Sequence, residues 1–341
     1  MKRACLRTIC CFFFVFPILF GTAGCKEELP YSSGEVVRVY VAHNEKQYIA
    51  AMKEFQERTG IEVQVWSAGT GDCLERIASE SDHPKCDVMW GGTIESLKAY
   101  EQYFQPYVSI EDVHILDQFK DPNDLWIGES QQPAVIMYNR RLVADSEAPK
   151  TWEDLLDPKW RGQIASADPA SSGSAYTLLC NMILAVSERE DREDGWLFIK
   201  QLVENIVISG SSSSVYTGVA NGEFALGLTL EQLAYPYVLA DPQNVGIVYP
   251  TDGSSNVPDG VALVRNCPNE KNARMLIDFL LGADCQQYMS DAFGRRSVRD
   301  DIMQPEHLPE LGTIYFIEYD YDWAGTGKEA VLKRWEKLQK R

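Results

Sequence analysis

The sequence is short of positive charge. Against 50 aspartates and glutamates stand 32 lysines and arginines, a formal charge of −18 over 341 residues. Such an acidic balance argues against nucleic acid and anionic membrane faces as partners. It leaves room for a small anion, since a cleft can focus helix N-termini and a few local donors against an acidic background. Histidine is scarce: His43, His83, His114 and His307 are scattered, and none is sequence-paired with a nucleophile. There is no G-x-S-x-G, no H-E-x-x-H, no C-x-x-C and no Cys/His metal spacing, so the common hydrolase and zinc signatures are missing. Internal repeats and low-complexity tracts are missing too. What is present is 45% hydrophobic and 24% charged, an ordinary globular composition in a chain long enough for two cores.

The N-terminus reads differently from the rest. Lys2, Arg3 and Arg7 form a basic start, Phe12 to Phe20 an apolar stretch, and Thr22-Ala23-Gly24-Cys25 a small-residue cleavage site ending in cysteine. This pattern resembles the bacterial lipobox, which predicts a leader over 1–24 and a lipid on Cys25. A plain signal peptide or an N-terminal anchor are the other readings, although the apolar stretch is short for a span. Losing the leader removes three basic residues and takes the charge from −18 to −21. Residues 25–35 then form a polar tether. The other cysteines, Cys73, Cys86, Cys180, Cys267 and Cys285, are odd in number. The pairs Cys73 with Cys86 and Cys267 with Cys285 each span a predicted helix of about 15 Å or more, which makes disulfides between them unfavourable.

Beyond the tether, VVRVYVA (36–42) reads as a buried strand, the stretch from Tyr48 as a helix with apolar Ile49, Met52 and Phe55 and a stop at Gly60, IEVQVW (61–66) as a strand and CDVMW (86–90) as another. Strand and helix alternate with short loops, which predicts a sheet with parallel strands and helices on both faces. Ligands of such sheets sit at the carboxyl ends of the strands, here the loops 43–46, 67–72 and 91–94. A strand over QPAVIMYNRRLV (132–143) then leads into a second lobe, with strands at 162–167 and 224–230, and segments 245–250 and 259–265 make the return crossing.

Seven stretches in order, including FQERTGIEVQVWSAGTGD, CDVMWGGTIESL, TWEDLLDPKWRGQIASADPASSGSAY, VANGEFALGLT and VPDGVALVRNCPNEKNARMLIDFLL, resemble the extracellular solute-binding proteins of ABC importers, in the group that includes ferric-ion, thiamine, phosphonate and sugar-phosphate binders. The resemblance implies an α/β fold of two lobes, each a mixed, mostly parallel sheet flanked by helices, with a solute trapped between them. Lobe 1 is expected over 36–131 plus 251–300 and lobe 2 over 132–250 plus 301–341, the C-terminal helices bridging the two. It implies a permease and an ATPase as partners, a monomer anchored by lipid to the outer side of the cell membrane, no enzyme activity and no cofactor.

The candidate ligand contacts are mostly helix starts, where free N–H groups and the positive end of the helix dipole suit an anion. The first is Ser171, Ser172, Gly173, Ser174, Ala175 and Tyr176, whose serines alternatively only cap the helix. Ser67, Gly69, Thr70 and Gly71 form a second, and Gly92 with Thr93 a third, which otherwise make tight strand-to-helix turns. Ser213, Ser214 and Tyr216 belong to a serine run at another helix start. Glu231 and Asp259 would accept hydrogen bonds from hydroxyls or meet an amine; a solvated helix-start acid and a hinge contact are their plainer roles. His43 is expected at the surface, and Arg295 and Arg296 in an ion-pair network with Asp300 and Asp301. No metal is expected: the ferric-ion pattern wants a Glu where Trp90-Gly91-Gly92-Thr93 stands and adjacent tyrosines where Leu230-Glu231-Gln232 stands. These features predict an organic anion, a sugar phosphate or phosphonate. Ferric ion, thiamine or a polyamine are the alternatives, the last two if Trp66, Trp90 and Tyr176 form an aromatic box. A structural or adhesive surface lipoprotein is the remaining rival and predicts no ligand-dependent closure.

Overall fold

The structure, a computed structural model, describes residues 35–187 and 190–339. The predicted leader, Cys25 and the tether up to residue 34 lie outside the described residues.

The first run of elements is β1 (Val36–Val41), α1 (Glu45–Thr59), β2 (Glu62–Ser67), α2 (Thr70–Ser79), β3 (Val88–Thr93), α3 (Ile94–Lys98) and β4 (Ile127–Ser130). The second is β5 (Ala134–Asn139), β6 (Ile164–Ala167), α4 (Gly173–Val186), α5 (Glu193–Leu202), β7 (Ile206–Ser209), α6 (Ser212–Asn221), β8 (Leu226–Leu230), α7 (Glu231–Ala240) and β9 (Val245–Val248). The chain closes with β10 (Asp259–Leu263), α8 (Glu270–Leu281), α9 (Ala283–Phe293), α10 (Tyr321–Thr326) and α11 (Lys328–Gln339).

Two five-stranded sheets result, in the orders β2-β1-β3-β10-β4 and β7-β6-β8-β5-β9. Each is mixed: three strands run parallel, and the strand that carries the chain across from the other lobe joins antiparallel. The central strands β3, β5, β8 and β10 are buried along their whole length, which is why they read as continuous apolar runs and not as alternations. The two crossings hold each other, Ala134 N–H donating to Ser255 O at 3.0 Å and the Ser254 hydroxyl to Ala134 O at 2.7 Å.

Local signals set the helix ends. Asn44 caps α1 by accepting from Lys46 N–H, and Gly60 ends it in the left-handed region at φ 72°. The buried stripe of α1 is Ala51, Met52 and Phe55, whereas Ile49, expected on it, is half exposed. The C-terminal segment clasps both lobes. Lys98 of α3 pairs with Asp322, the Tyr176 hydroxyl of α4 donates to Ala324 O, and Arg334 of α11 grips Glu193 of α5 with two bonds of 2.7 Å. All five described cysteines are buried and free.

Candidate functional site

A cleft of about 500 Å³ opens between the carboxyl ends of the two sheets. Several helix starts line it, and those of α2, α4 and α6 carry glycine, threonine or serine. Helix α2 begins at Thr70, with Gly69 as its N-cap, so SAGTGD is a loop only up to Gly69. Helix α4 begins at Gly173 with Ser172 as cap, its Oγ accepting from Ala175 N–H at 3.2 Å. Helix α6 begins at Ser212, capped by Ser211, whose Oγ accepts from Ser214 N–H at 3.2 Å. The last two starts touch: the hydroxyls of Ser172, Ser174 and Ser212 form a triangle with edges of 2.6, 3.0 and 3.1 Å. Each hydroxyl can rotate its proton, so the triangle can turn donors toward an anion.

Glycine brings the opposite wall close. A Cβ on Gly92 would sit 2.4 Å from Thr70 Cγ2, and its φ of 83° is itself a glycine conformation. Gly91, at φ 93°, lies against the His43 ring in the same way. Across the cleft, a Cβ on Gly173 would stand 3.4 Å from the Thr70 hydroxyl. The serine wall therefore faces Thr70 and Thr93 at short range.

Behind these hydroxyls lies a charged floor. His43 Nε2 is 3.0 Å from Glu129 Oε1 and its Nδ1 is 3.7 Å from Asp259 Oδ2, while Arg295 also grips Glu129. Burial disfavours the Glu129 carboxylate, but Arg295 and His43 outweigh it and hold the group down at about 2. Asp259 has weaker support: burial, only partly offset by His43, pushes it up, and Glu129 adds to the push. Gln132, buried at the crossing, also lines the cleft, with its amide beside Asp259.

Two groups of described residues bring three metal-type ligand atoms within 4.8 Å of one another, His43 with Glu129 and Asp259, and His114 with Asp300 and Asp301. In the first, Glu129 is bound to a guanidinium; in the second, Arg299 holds Asp301 through two bonds of 2.7 Å. A multivalent cation at either place would meet an arginine, so neither set is an open hard-ligand cage.

Residues 94–321 match the family described as bacterial extracellular solute-binding protein, more than half of the chain. The chain belongs to that family. Iron uptake protein A1 of Synechocystis sp. is 29% identical over 254 residues, which is 70% of this chain and 68% of that protein. A putative 2-aminoethylphosphonate-binding periplasmic protein of Salmonella typhimurium is 23% identical over 302 residues, 85% of this chain and 87% of that protein. The periplasmic binding protein AfuA of Actinobacillus pleuropneumoniae, solved with exogenous fructose-6-phosphate, superposes with a TM-score of 0.82 at 22% identity, covering 90% of this chain and 99% of the other. The fold is thus the two-lobed periplasmic-binding-protein fold, and the chain is a solute-binding protein of the ABC importer class, not an enzyme.

Within this solute-binding protein, the predicted contacts separate. Gly69, Thr70, Gly92, Thr93, Ser171, Ser172, Gly173, Ser174, Ser213, Tyr216 and Asp259 line the cleft. Ser67 and Gly71 are exposed and do not line it, because β2 ends with Ser67 facing solvent and Gly71 is already inside α2. Ala175 and Tyr176 are buried, since the helical turn carries them past the mouth into the core. The start of α6 places Ser214 on the outer face, where its Oγ lies 2.9 Å from that of its cap, and Ser212 on the inner one. Glu231 is buried and tied to Arg296, Nε to Oε1 at 2.7 Å and a second bond of 3.0 Å, with Tyr249 as a further donor; it holds α7 to the hinge. That pairing corrects the expected network: Arg296 goes to Glu231 and Arg295 to Glu129, and of the arginines there only Arg299 meets Asp301.

The His43 side chain is buried, not superficial. The three aromatic rings make no box: Trp66 lies under Arg76 at 4.5 Å, Trp90 is in the core against His43, and Tyr176 sits under Lys328 at 4.8 Å. Sequence reasoning missed Gln132 and Gln232, and it named Ser212 only as part of a run. Only the last carries a local signal, since Ser212 and Tyr216 are four apart and share one face of α6.

Proposed function

We propose that this solute-binding protein captures a small organic phosphate or phosphonate and delivers it to its permease and ATPase as a monomer. It would be tethered by a lipid on Cys25 to the outer side of the cell membrane. Lobe 1 would comprise 36–131 with 251–300, and lobe 2 would comprise 132–250 with 301–341. The observation that carries the reading is the convergence of three helix starts, α2 from one lobe and α4 and α6 from the other, on one hydroxyl-lined cleft. Each start offers unpaired N–H groups and a share of positive dipole. The glycines at 69 and 173 let a tetrahedral anion approach the backbone, while Gly92 makes room for the Thr70 side chain beside it. Asp259, Gln132 and Gln232 then face the remainder of the ligand and suit hydroxyl or ammonium donors.

The names of relatives support an anion or ferric ion about equally; the donor set favours the anion. Neutral hydroxyls and N–H groups bind phosphate, while ferric ion wants anionic oxygens.

The test is calorimetry with methylphosphonate, fructose-6-phosphate, ferric citrate, thiamine and spermidine on the wild type and on Ser172→Asp/Ser174→Asp. Aspartate is as good an N-cap as serine, so the fold should stand. Phosphoryl or phosphonyl ligands should bind the wild type and lose about a hundredfold or more in the variant through charge repulsion. Binding of ferric ion or of cations alone, or unchanged affinity in the variant, would overturn the reading.

A further inference from the structure

The cleft does not end at the charged floor. A second groove of about 500 Å³ runs on from it and shares His43, Asn44, Tyr216, Gln232 and Leu233 with it. Its lining changes character, from hydroxyls to Tyr216, Tyr237, Pro236, Leu239 and Phe293, with Lys46 and Gln47 also on its wall. Tyr216 and Tyr237 stack with their centroids 5.3 Å apart and their planes tilted by 44°. Burial raises the pKa of both phenols above the usual tyrosine value, so both rings stay neutral and present an apolar face. Leu239 is 53% exposed on the same helix.

Helix α6 joins the two compartments. Its first residue, Ser212, belongs to the hydroxyl triangle, and Tyr216 lies one turn later on the same face, about 6 Å further along the axis. An anion held at the start of α6 therefore directs its substituent along the helix toward the tyrosine pair. Both tyrosines stand on lobe 2 elements, α6 and α7, so closing of the lobes leaves the pair intact.

Taking the anion reading above as given, we infer that the Tyr216–Tyr237 groove is a second subsite, which takes a ring-bearing organic group on the phosphate or phosphonate. The ligand class is an aryl or heteroaryl phosphate or phosphonate, and not a bare or short-chain one. A ring placed on the tyrosines gains aromatic contact and buries apolar surface that a methyl group leaves exposed.

Titration calorimetry at pH 8 with phenylphosphonate, methylphosphonate and inorganic phosphate tests this on the wild type, Tyr237→Ala and Tyr237→Phe. Phenylphosphonate should bind the wild type at least about tenfold tighter than methylphosphonate. Tyr237→Ala should bring the two within about threefold while leaving inorganic phosphate affinity unchanged, and Tyr237→Phe should restore the preference. Equal affinities in the wild type, with both ligands bound, would overturn the subsite and leave the anion reading standing. Binding of none of the three would overturn the anion reading and the subsite with it. A preference kept in Tyr237→Ala would show that the ring sits elsewhere.

Discussion

The hydroxyl wall and the charged floor of the cleft lie side by side and are built on opposite logics. The wall is neutral: Ser172, Ser174 and Ser212 bond to one another, and the helix ends behind them supply only partial charge. The floor is built from ionisable side chains held against one another: Arg295 and His43 lie against Glu129, and beside the floor Arg296 holds Glu231. The difference separates two tasks: a charge held by its neighbour ties elements together, and on the proposed anion reading the hydroxyls and N–H groups of the wall are the ones that meet the solute.

The sharpest way to break that division is to strip one partner from the buried ion pair beside the floor. Arg296→Ala leaves Glu231 buried against Tyr249 with no cation. It should lower stability by about 3–5 kcal/mol, read as a large drop in Tm by calorimetry. Glu231→Gln with Arg296→Met, which removes both charges and keeps the volume, should recover most of the loss. If Arg296→Ala costs less than Ser172→Ala, the floor is not the structural half of the cleft.

Next in size is a buried acid that belongs to neither region and sits between α3 and α4. Glu95 of α3 accepts a hydrogen bond from Thr177 of α4. Burial raises it, against the opposing pull of Thr177 and Lys328, to about 7. Cys180, Tyr176, Tyr319 and Tyr321 also feel its charge. A carboxyl whose folded pKa is raised binds a proton more tightly in the native state than in the unfolded one. Its contribution to stability is therefore full at low pH and fades as pH climbs from 4.5 toward 7. The slope is at most about 1.4 kcal/mol per pH unit. Glu95→Gln should flatten that part of a Tm against pH profile and be more stable than the wild type at pH 8. An unchanged slope would place the titration elsewhere.

The two regions also differ in how far they can be read from the chain. Gly173, Ser174 and the cap Ser172 are neighbours in sequence, and a helix start is a local event, so the wall is visible in ADPASSGSAY. The floor is gathered from positions 43, 129, 259 and 295, and nothing near His43 announces Glu129. The same contrast holds in the fold. β1, β5 and β8 are β-branched or apolar runs because they are buried along nearly their whole length, whereas IGES of β4 lacks a distinctive pattern, and IVIS of β7 is β-branched but only four residues long and follows closely on the apolar helix α5. Tyr176 and Ser214 were misplaced for a single reason: their helices turn by 100° per residue, and the phase is set only once the cap is known.

The smallest effect comes from the charge of the whole chain, and it sharpens the comparison because it ignores the cleft's interior. On the proposed anion reading, a body of net −18 or more repels an incoming phosphate at long range, while the wall attracts it only at contact. Salt screens the first effect over about 8 Å at physiological ionic strength and barely touches the second. Association of methylphosphonate, followed by stopped-flow tryptophan fluorescence, should therefore speed up by about two- to threefold between 10 and 150 mM salt, with the dissociation rate nearly constant. This is the reverse of what a cleft built from exposed lysines or arginines would show. A rate that falls with salt would mean that an unmatched cation, not the neutral wall, draws the anion in.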